Sequence, residues 1–230
     1  MSEQSEQDID LQRLKDAVRS AVESGNNLQR QVRDLMLEAF SAGHLDLSVM
    51  RQVTSTTLEG IGSAASAGGD RTREVMRQSV AGVEEALMQA AEASKLAIQE
   101  AAGRTAEFSR NDLARAFADL GAIEALFMDT LGEVATAGSR TAAAVFGDFL
   151  GHFRNSGTAI GRHLAETMTG LGEELPQAAG EGLQRGLDMA HTTADRLARF
   201  ASGFLAAIDQ GLSSAGEGAS GDGADEKGPD

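Results

Sequence analysis

The side chains in this sequence that could do chemistry are four histidines and many carboxylates. The histidines are His44, His152, His163 and His191, and the chain has no cysteine. A metal site needs several such ligands converging on one ion, but His152 and His163 are eleven residues apart, which on a helix is about three turns. Asp188 precedes His191 by three residues, but the sequence has no Glu-x-x-His motif of the kind used by di-iron bundles. We therefore predict no metal site and no cofactor.

Catalytic motifs are also missing. With no cysteine, no nucleophile elbow and no Gly-Lys-Ser/Thr phosphate loop, the sequence offers neither an activated nucleophile nor a phosphate cradle. The many carboxylates fit a solvated helix face better than paired acid–base catalysts. The sequence therefore predicts that the protein is not an enzyme.

The charge of the chain limits its partners. The formal net charge is −15, which opposes binding to the phosphates of nucleic acids and to anionic lipid headgroups. The first ten residues are acidic and polar, unlike a signal peptide, and no run of 18 uncharged apolar residues exists. We expect a cytoplasmic protein with no transmembrane segment and no nucleic-acid partner.

The most regular feature of the sequence is an uncharged stripe that recurs every eleven residues. One column runs from Ala21 to Ile208 and a second runs from Ala17 to Phe204, and neither contains a charged residue although 24% of the chain is charged. Eleven residues in three turns is about 3.67 per turn, close to the value of a straight α-helix. Period-two strand patterns are absent. The stripe predicts an all-α fold of long amphipathic helices with an eleven-residue repeat, forming a loose bundle or an elongated coiled coil.

Gly and Asp residues divide this helical pattern. We expect a disordered N-terminus over residues 1–7, an N-terminal helical hairpin over 8–67, long amphipathic helices over 70–212, and a disordered acidic tail over 213–230. Gly43 is expected to end the first helix, and Asp46 and Asp70 to cap the next two. Near Ser109 the pattern fits a helix boundary and a continuous helix equally well. Pro176 fits the first turn of a new helix or a kink in an existing one.

The second half of the stripe carries the larger side chains. All phenylalanines except Phe40 lie between Phe108 and Phe204. We predict an apolar interaction face there, formed by Leu120, Phe127, Leu131, Phe149, Phe153, Leu164 and Leu171. Two glycine pairs, Gly147 with Gly151 and Gly157 with Gly161, have the spacing that lets helices approach closely.

This face has two interpretations. In the first, the protein is a non-catalytic scaffold whose face coats an apolar granule or lipid surface, while the acidic side keeps coated particles apart. In the second, the same residues form the seam of a self-associating coiled coil without surface activity. Both interpretations include a homo-oligomer, and the second predicts a melting point that depends on concentration.

Four short segments carry a family resemblance. The run Leu28–Val32–Leu35 with Leu45-Asp46-Leu47, followed by Ala91-Glu92-Ala93-Ser94 and Ala101-Ala102-Gly103-Arg104, resembles an uncharacterised family of bacterial all-helical proteins. This resemblance implies bacterial origin and no assigned activity. More loosely, the alanine-rich, cysteine-free chain with its low-complexity tail resembles the phasins, helical proteins that coat polyhydroxyalkanoate granules.

Overall fold

The computed structural model describes residues 2–42, 45–65, 71–103, 110–178, 198 and 201–206, and these are almost entirely helical. Eight helices follow one another, and no strand occurs in these ranges, which confirms the predicted all-α fold. The helices are α1 (Ser2–Ser24), α2 (Leu28–Ser41), α3 (Leu47–Ala65), α4 (Thr72–Gly103), α5 (Arg110–Gly121), α6 (Ile123–Ala137), α7 (Arg140–Ser156) and α8 (Ala159–Ala178).

The N-terminal region differs from the predicted hairpin. It holds three helices, because the chain turns between α1 and α2 at Gly25, which has a φ of 70°, and at Asn27, which has a φ of 46°. Glycine and asparagine are the residues that adopt this left-handed conformation most easily. Helix α1 also begins at Ser2, within the stretch expected to be disordered.

The beginning of α3 lies at the predicted position, whereas the breaks at Ala122, at residues 138–139 and at residues 157–158 divide a stretch that was predicted to form long helices. The backbone N–H of Val49 donates to Asp46 Oδ1 at 2.9 Å, which confirms Asp46 as the cap of α3. Helix α4 ends at Gly103 and α5 begins at Arg110, and the predicted boundary near Ser109 lies outside the described residues. Pro176 lies inside α8. The other two predicted boundary residues, Gly43 and Asp70, and the acidic tail lie outside the described residues.

Two glycines set the packing of the first four helices. Helix α1 packs along α3 and α2 packs along α4. A Cβ on Gly60 would lie 3.0 Å from the carbonyl oxygen of Lys15 in α1. A Cβ on Gly82 would overlap the carbonyl oxygen of Gln29 in α2 and lie 3.2 Å from the backbone N of Arg33. The helix pairs therefore approach each other closely enough that no side chain fits between them at these points.

One hydrophobic core joins the two halves of the described chain. Helix α6 packs on α3 and α7, and α8 packs on α4, so the later helices fold back onto the earlier ones. Most residues of the first stripe column lie in this core. Its buried members are Ala21, Val32, Thr54, Ala65, Met76, Leu87, Ile98, Leu120, Leu131, Ala142 and Leu164. The described helices form a bundle, and the eleven-residue repeat as a structural unit stays a prediction.

Candidate interaction face and the contacts that cover it

The predicted interaction face lies against the core. Phe149 and Phe153 are half-buried and pack on the core, and the other five residues of the face are buried within it. The fully or almost fully buried residues are Leu120, Phe127, Leu131, Leu164 and Leu171. The large apolar side chains of the second half are thus covered by the chain's own helices in this conformation.

The rings of the face pack across neighbouring helices. The rings of Phe127 in α6 and Phe153 in α7 have centroids 5.7 Å apart and are tilted by 59°, an arrangement in which one ring edge approaches the other's face. The ring of His152 lies beside that of Phe153, with centroids 6.0 Å apart. Gly62 of α3 makes room for Phe146, because a Cβ there would lie 3.2 Å from its ring. Shape-matched contacts between α3, α6 and α7 therefore cover this part of the face.

The helices that carry the face are joined by very short connections. Only Ala122 separates α5 from α6, residues 138–139 separate α6 from α7, and residues 157–158 separate α7 from α8. Gly157 has a φ of 74°, a conformation that an L-residue with a side chain rarely adopts. The face is therefore spread over four consecutive helices that are joined by one or two residues each.

Two carboxylates meet at the beginning of α8. The Thr158 hydroxyl donates to Glu124 Oε1 of α6 at 2.5 Å and accepts from the backbone N–H of Gly161 at 2.8 Å, so Thr158 caps the helix. The backbone N–H of Ala159 donates to Glu84 Oε1 of α4 at 2.9 Å. The absence of a side chain at Gly161 leaves room for the Glu124 carboxylate. Negative groups at a helix N-terminus interact favourably with its unpaired N–H groups.

The electrostatics of Glu84 are set mainly by burial. Desolvation raises the pKa of Glu84, and the negative charge of Glu124 acts in the same direction. The hydrogen bond from Ala159 and the charges of Arg162 and His152 act in the opposite direction without cancelling the rise. Ionised Glu84 is therefore held at the α4–α8 contact at a cost in stability.

Replacing Glu84 with glutamine should raise the free energy of unfolding at neutral pH. Glutamine keeps an oxygen that can accept from Ala159 and removes the buried charge. Because the folded-state pKa of Glu84 is raised, its cost is present when it is ionised and disappears as the pH falls through that pKa. Urea unfolding at about pH 7 and about pH 4 should therefore show a stabilisation that shrinks in acid.

Glu85→Gln is the matched control. Glu85 Oε1 accepts a hydrogen bond from Arg33 Nη1 at 2.8 Å, and the Arg33 side chain is only 17% exposed. Removing this charge should lower stability at neutral pH. If Glu84→Gln also lowers stability there, the charge of Glu84 stabilises the fold and our account of this contact is wrong.

The two histidines that the structure describes, His152 and His163, belong to no cluster of metal ligands. His163 Nε2 lies 3.8 Å from Glu92 Oε2, beyond hydrogen-bonding distance, and His152 is exposed. His44 and His191 lie outside the described residues. Among the residues that the structure describes, no three His, Asp or Glu side chains come together in a way that could hold a metal ion.

The glycine pairs have different surroundings. A Cβ on Gly147 or Gly151 would meet nothing within 4 Å, so this side of α7 faces no other part of the described chain. Gly161 contacts the Glu124 side chain, whereas Gly157 is open. The residues at the beginning of α8 were not predicted as a site, since Glu84 and Glu124 are distant from Thr158 in sequence and carry no motif.

These observations define the class of protein. It is an all-α bundle of amphipathic helices, and the large apolar residues of its second half pack in the core of the same chain. The chain belongs to the family of unknown function DUF6781, whose profile matches residues 4–214. Comparisons with curated proteins and with solved structures give no significant match. Within the described helices, none has the length and hydropathy needed to cross a bilayer.

Proposed function

We propose that this protein is a non-catalytic, phasin-like scaffold that coats an apolar surface, and that it does so by opening helices α5–α8. The observation that supports the proposal is the arrangement of the interaction face. Its large apolar residues lie on four consecutive helices and pack in or against the core. One or two residues link each of these helices to the next. The closed bundle would be the storage form and the opened segment the binding form.

Straightening the three short connections would produce one long amphipathic helix. Residues 110–178 would then span about 100 Å at 1.5 Å per residue. The eleven-residue spacing would keep Leu120, Leu131 and Leu164 on one side of that helix, because it is close to a whole number of turns. A continuous apolar face of this kind suits the surface of a granule or a lipid droplet.

Exchanging the contacts of the closed bundle for contacts with an apolar surface is energetically reasonable. Opening exposes apolar side chains of α3 and α4 as well as the face itself, at about 25 cal/mol for each Å² returned to water. An apolar surface can bury both sets of side chains again, so the lost contacts are largely replaced. The net charge of −15 would then keep coated particles apart in the cytoplasm.

Self-association is the second candidate function. The exposed glycines Gly147 and Gly151 on α7 leave space for the backbone of another helix. A second copy of the chain would use this side of α7 and leave the buried face closed. A homo-oligomer of this type would have no surface activity.

A crosslink between α4 and α7 should abolish binding to an apolar emulsion. Arg73 in α4 and Asp148 in α7 form an exposed ion pair at 2.5 Å, so cysteines at these two positions can be joined by a short bis-maleimide. The natural chain has no cysteine, so only the introduced thiols react. Flotation with triolein emulsion should recover the unlinked variant in the lipid layer and leave the linked one in solution, at least tenfold depleted from the layer.

The matched control links α1 to α3. Lys15 and Glu59 form an exposed ion pair at 2.6 Å, and a bis-maleimide between cysteines there leaves α5–α8 free to open. This linked control should bind as well as the natural chain. Equal binding by the α4–α7 linked protein would overturn the opening mechanism, and failure of the natural chain to bind would overturn the coat itself.

A further inference from the structure

A small cavity lies between the beginning of α3, the end of α4, and α5. Its volume is about 100 Å³, and it is partly open to solvent. The inner lining is apolar and includes the buried side chains of Met50, Ile98, Leu120 and Ile123. Ala198 also lines the cavity, and its carbonyl oxygen accepts a hydrogen bond from the Leu45 backbone N–H at 3.2 Å. Four separate parts of the chain thus enclose this space.

Acidic side chains dominate the charged part of the lining. Asp46, Asp112 and Asp119 line the cavity together with one basic residue, Arg115. Burial raises the pKa of Asp119, and the negative charge of Asp46 raises it further, while Arg115 acts in the opposite direction. Arg115 acts on Asp119 more strongly than Asp46 does, but with three carboxylates against one guanidinium the lining keeps an excess of negative charge that a bound cation would reduce.

We propose that this cavity binds a small organic ammonium ion, with its alkyl chain among Met50, Ile98 and Leu120 and its charged group beside Asp46 and Asp119. The volume equals that of about three water molecules in the liquid, so it fits an alkyl group of a few carbons. Apolar lining favours the alkyl chain, and the excess of carboxylates selects a cation over an alcohol or an acid of the same size. The observations behind this inference are separate from those behind the proposed coat, but the site belongs to the closed bundle, because opening α5 would remove Leu120 and Asp119 from the lining.

The test uses the full chain and three probes of similar size: n-butylammonium, n-butanol and butyrate. Saturation-transfer NMR should show butylammonium binding at millimolar concentration, butanol binding about fivefold more weakly, and butyrate not binding. Competition between butylammonium and butanol should confirm that both occupy one site. Butylammonium should also raise the melting temperature, since it binds the folded chain.

Two variants locate the site. Asp119→Asn should reduce butylammonium affinity to that of butanol and leave butanol unchanged. Ala116→Leu, which places a larger side chain in the lining, should abolish binding of both probes while circular dichroism confirms the fold. Asp129→Asn, on an exposed part of α6, is the charge-matched control and should have no effect.

Several outcomes would overturn the proposal. The proposal is wrong if butylammonium does not bind at millimolar concentration or if butyrate binds as well as butylammonium. It is also wrong if the Asp119→Asn variant binds butylammonium as well as the natural chain does. If Ala116→Leu does not fold, comparing butylammonium binding by Asp119→Asn and by the natural chain still tests the proposal. A failure here would leave the emulsion experiment untouched, because that experiment uses neither the probes nor these variants.

Discussion

Replacing Phe127 with alanine should lower the free energy of unfolding by about 3–5 kcal/mol. The side chain is 0% exposed and contacts the ring of Phe153, so its removal deletes buried apolar area and leaves a cavity in the core. Urea unfolding followed by circular dichroism measures the loss. If the alanine variant does not fold, Phe127→Leu should give a smaller, measurable destabilisation.

Phe149→Ala is the control for this prediction. Phe149 belongs to the same predicted face but is only half-buried, so its loss should cost less than half as much. Equal small losses for both variants would mean that Phe127 does not lie in the core. In that case the face would point outward, and the protein would need no opening before it bound a surface.

Replacing Gly82 with alanine should lower the free energy of unfolding by about 1–3 kcal/mol, although alanine favours helices. The added Cβ would overlap the carbonyl oxygen of Gln29 and lie 3.1 Å from Val32 Cβ. Backbone atoms cannot rotate away as a flexible side chain can, so α2 and α4 must separate. Urea unfolding again measures the effect.

Gly147→Ala is the matched control, since both glycines lie inside helices. A Cβ at Gly147 meets nothing within 4 Å, so alanine should raise stability by about 0.5–1 kcal/mol. The two variants should therefore change stability in opposite directions. A gain at both positions would show that α2 and α4 are not in close contact at Gly82.

Local features of the fold could be predicted from the sequence. Helical periodicity identifies the all-α class and the residues that become core, because the period of a buried face is a property of neighbouring residues. Asp46 could be found as a cap because a helix cap also depends on residue types that are close together in the sequence. The break at Gly25 to Asn27 was missed, because the helical spacing from Ala21 to Leu28 and Val32 continues across it.

Contacts between distant parts of the chain could not be predicted. The hydrogen bonds that join Thr158 to Glu124 and Ala159 to Glu84 span 34 and 75 residues. Periodicity showed that Phe127 and Leu131 need an apolar partner but not whether another helix of the chain or an external surface supplies it. The close approach at Gly82 depends on the path of α2, which Gly82 itself does not reveal.

The short connections between α5 and α8 have a consequence for competition. Because these helices stay covalently attached to α4, the face meets its own core at an effective concentration in about the millimolar range. A small apolar molecule in dilute solution cannot compete with such an internal partner. Under the proposed coat, an extended surface would compete, since it would contact several residues of the face at once, and this size dependence would keep the face closed until such a surface is present.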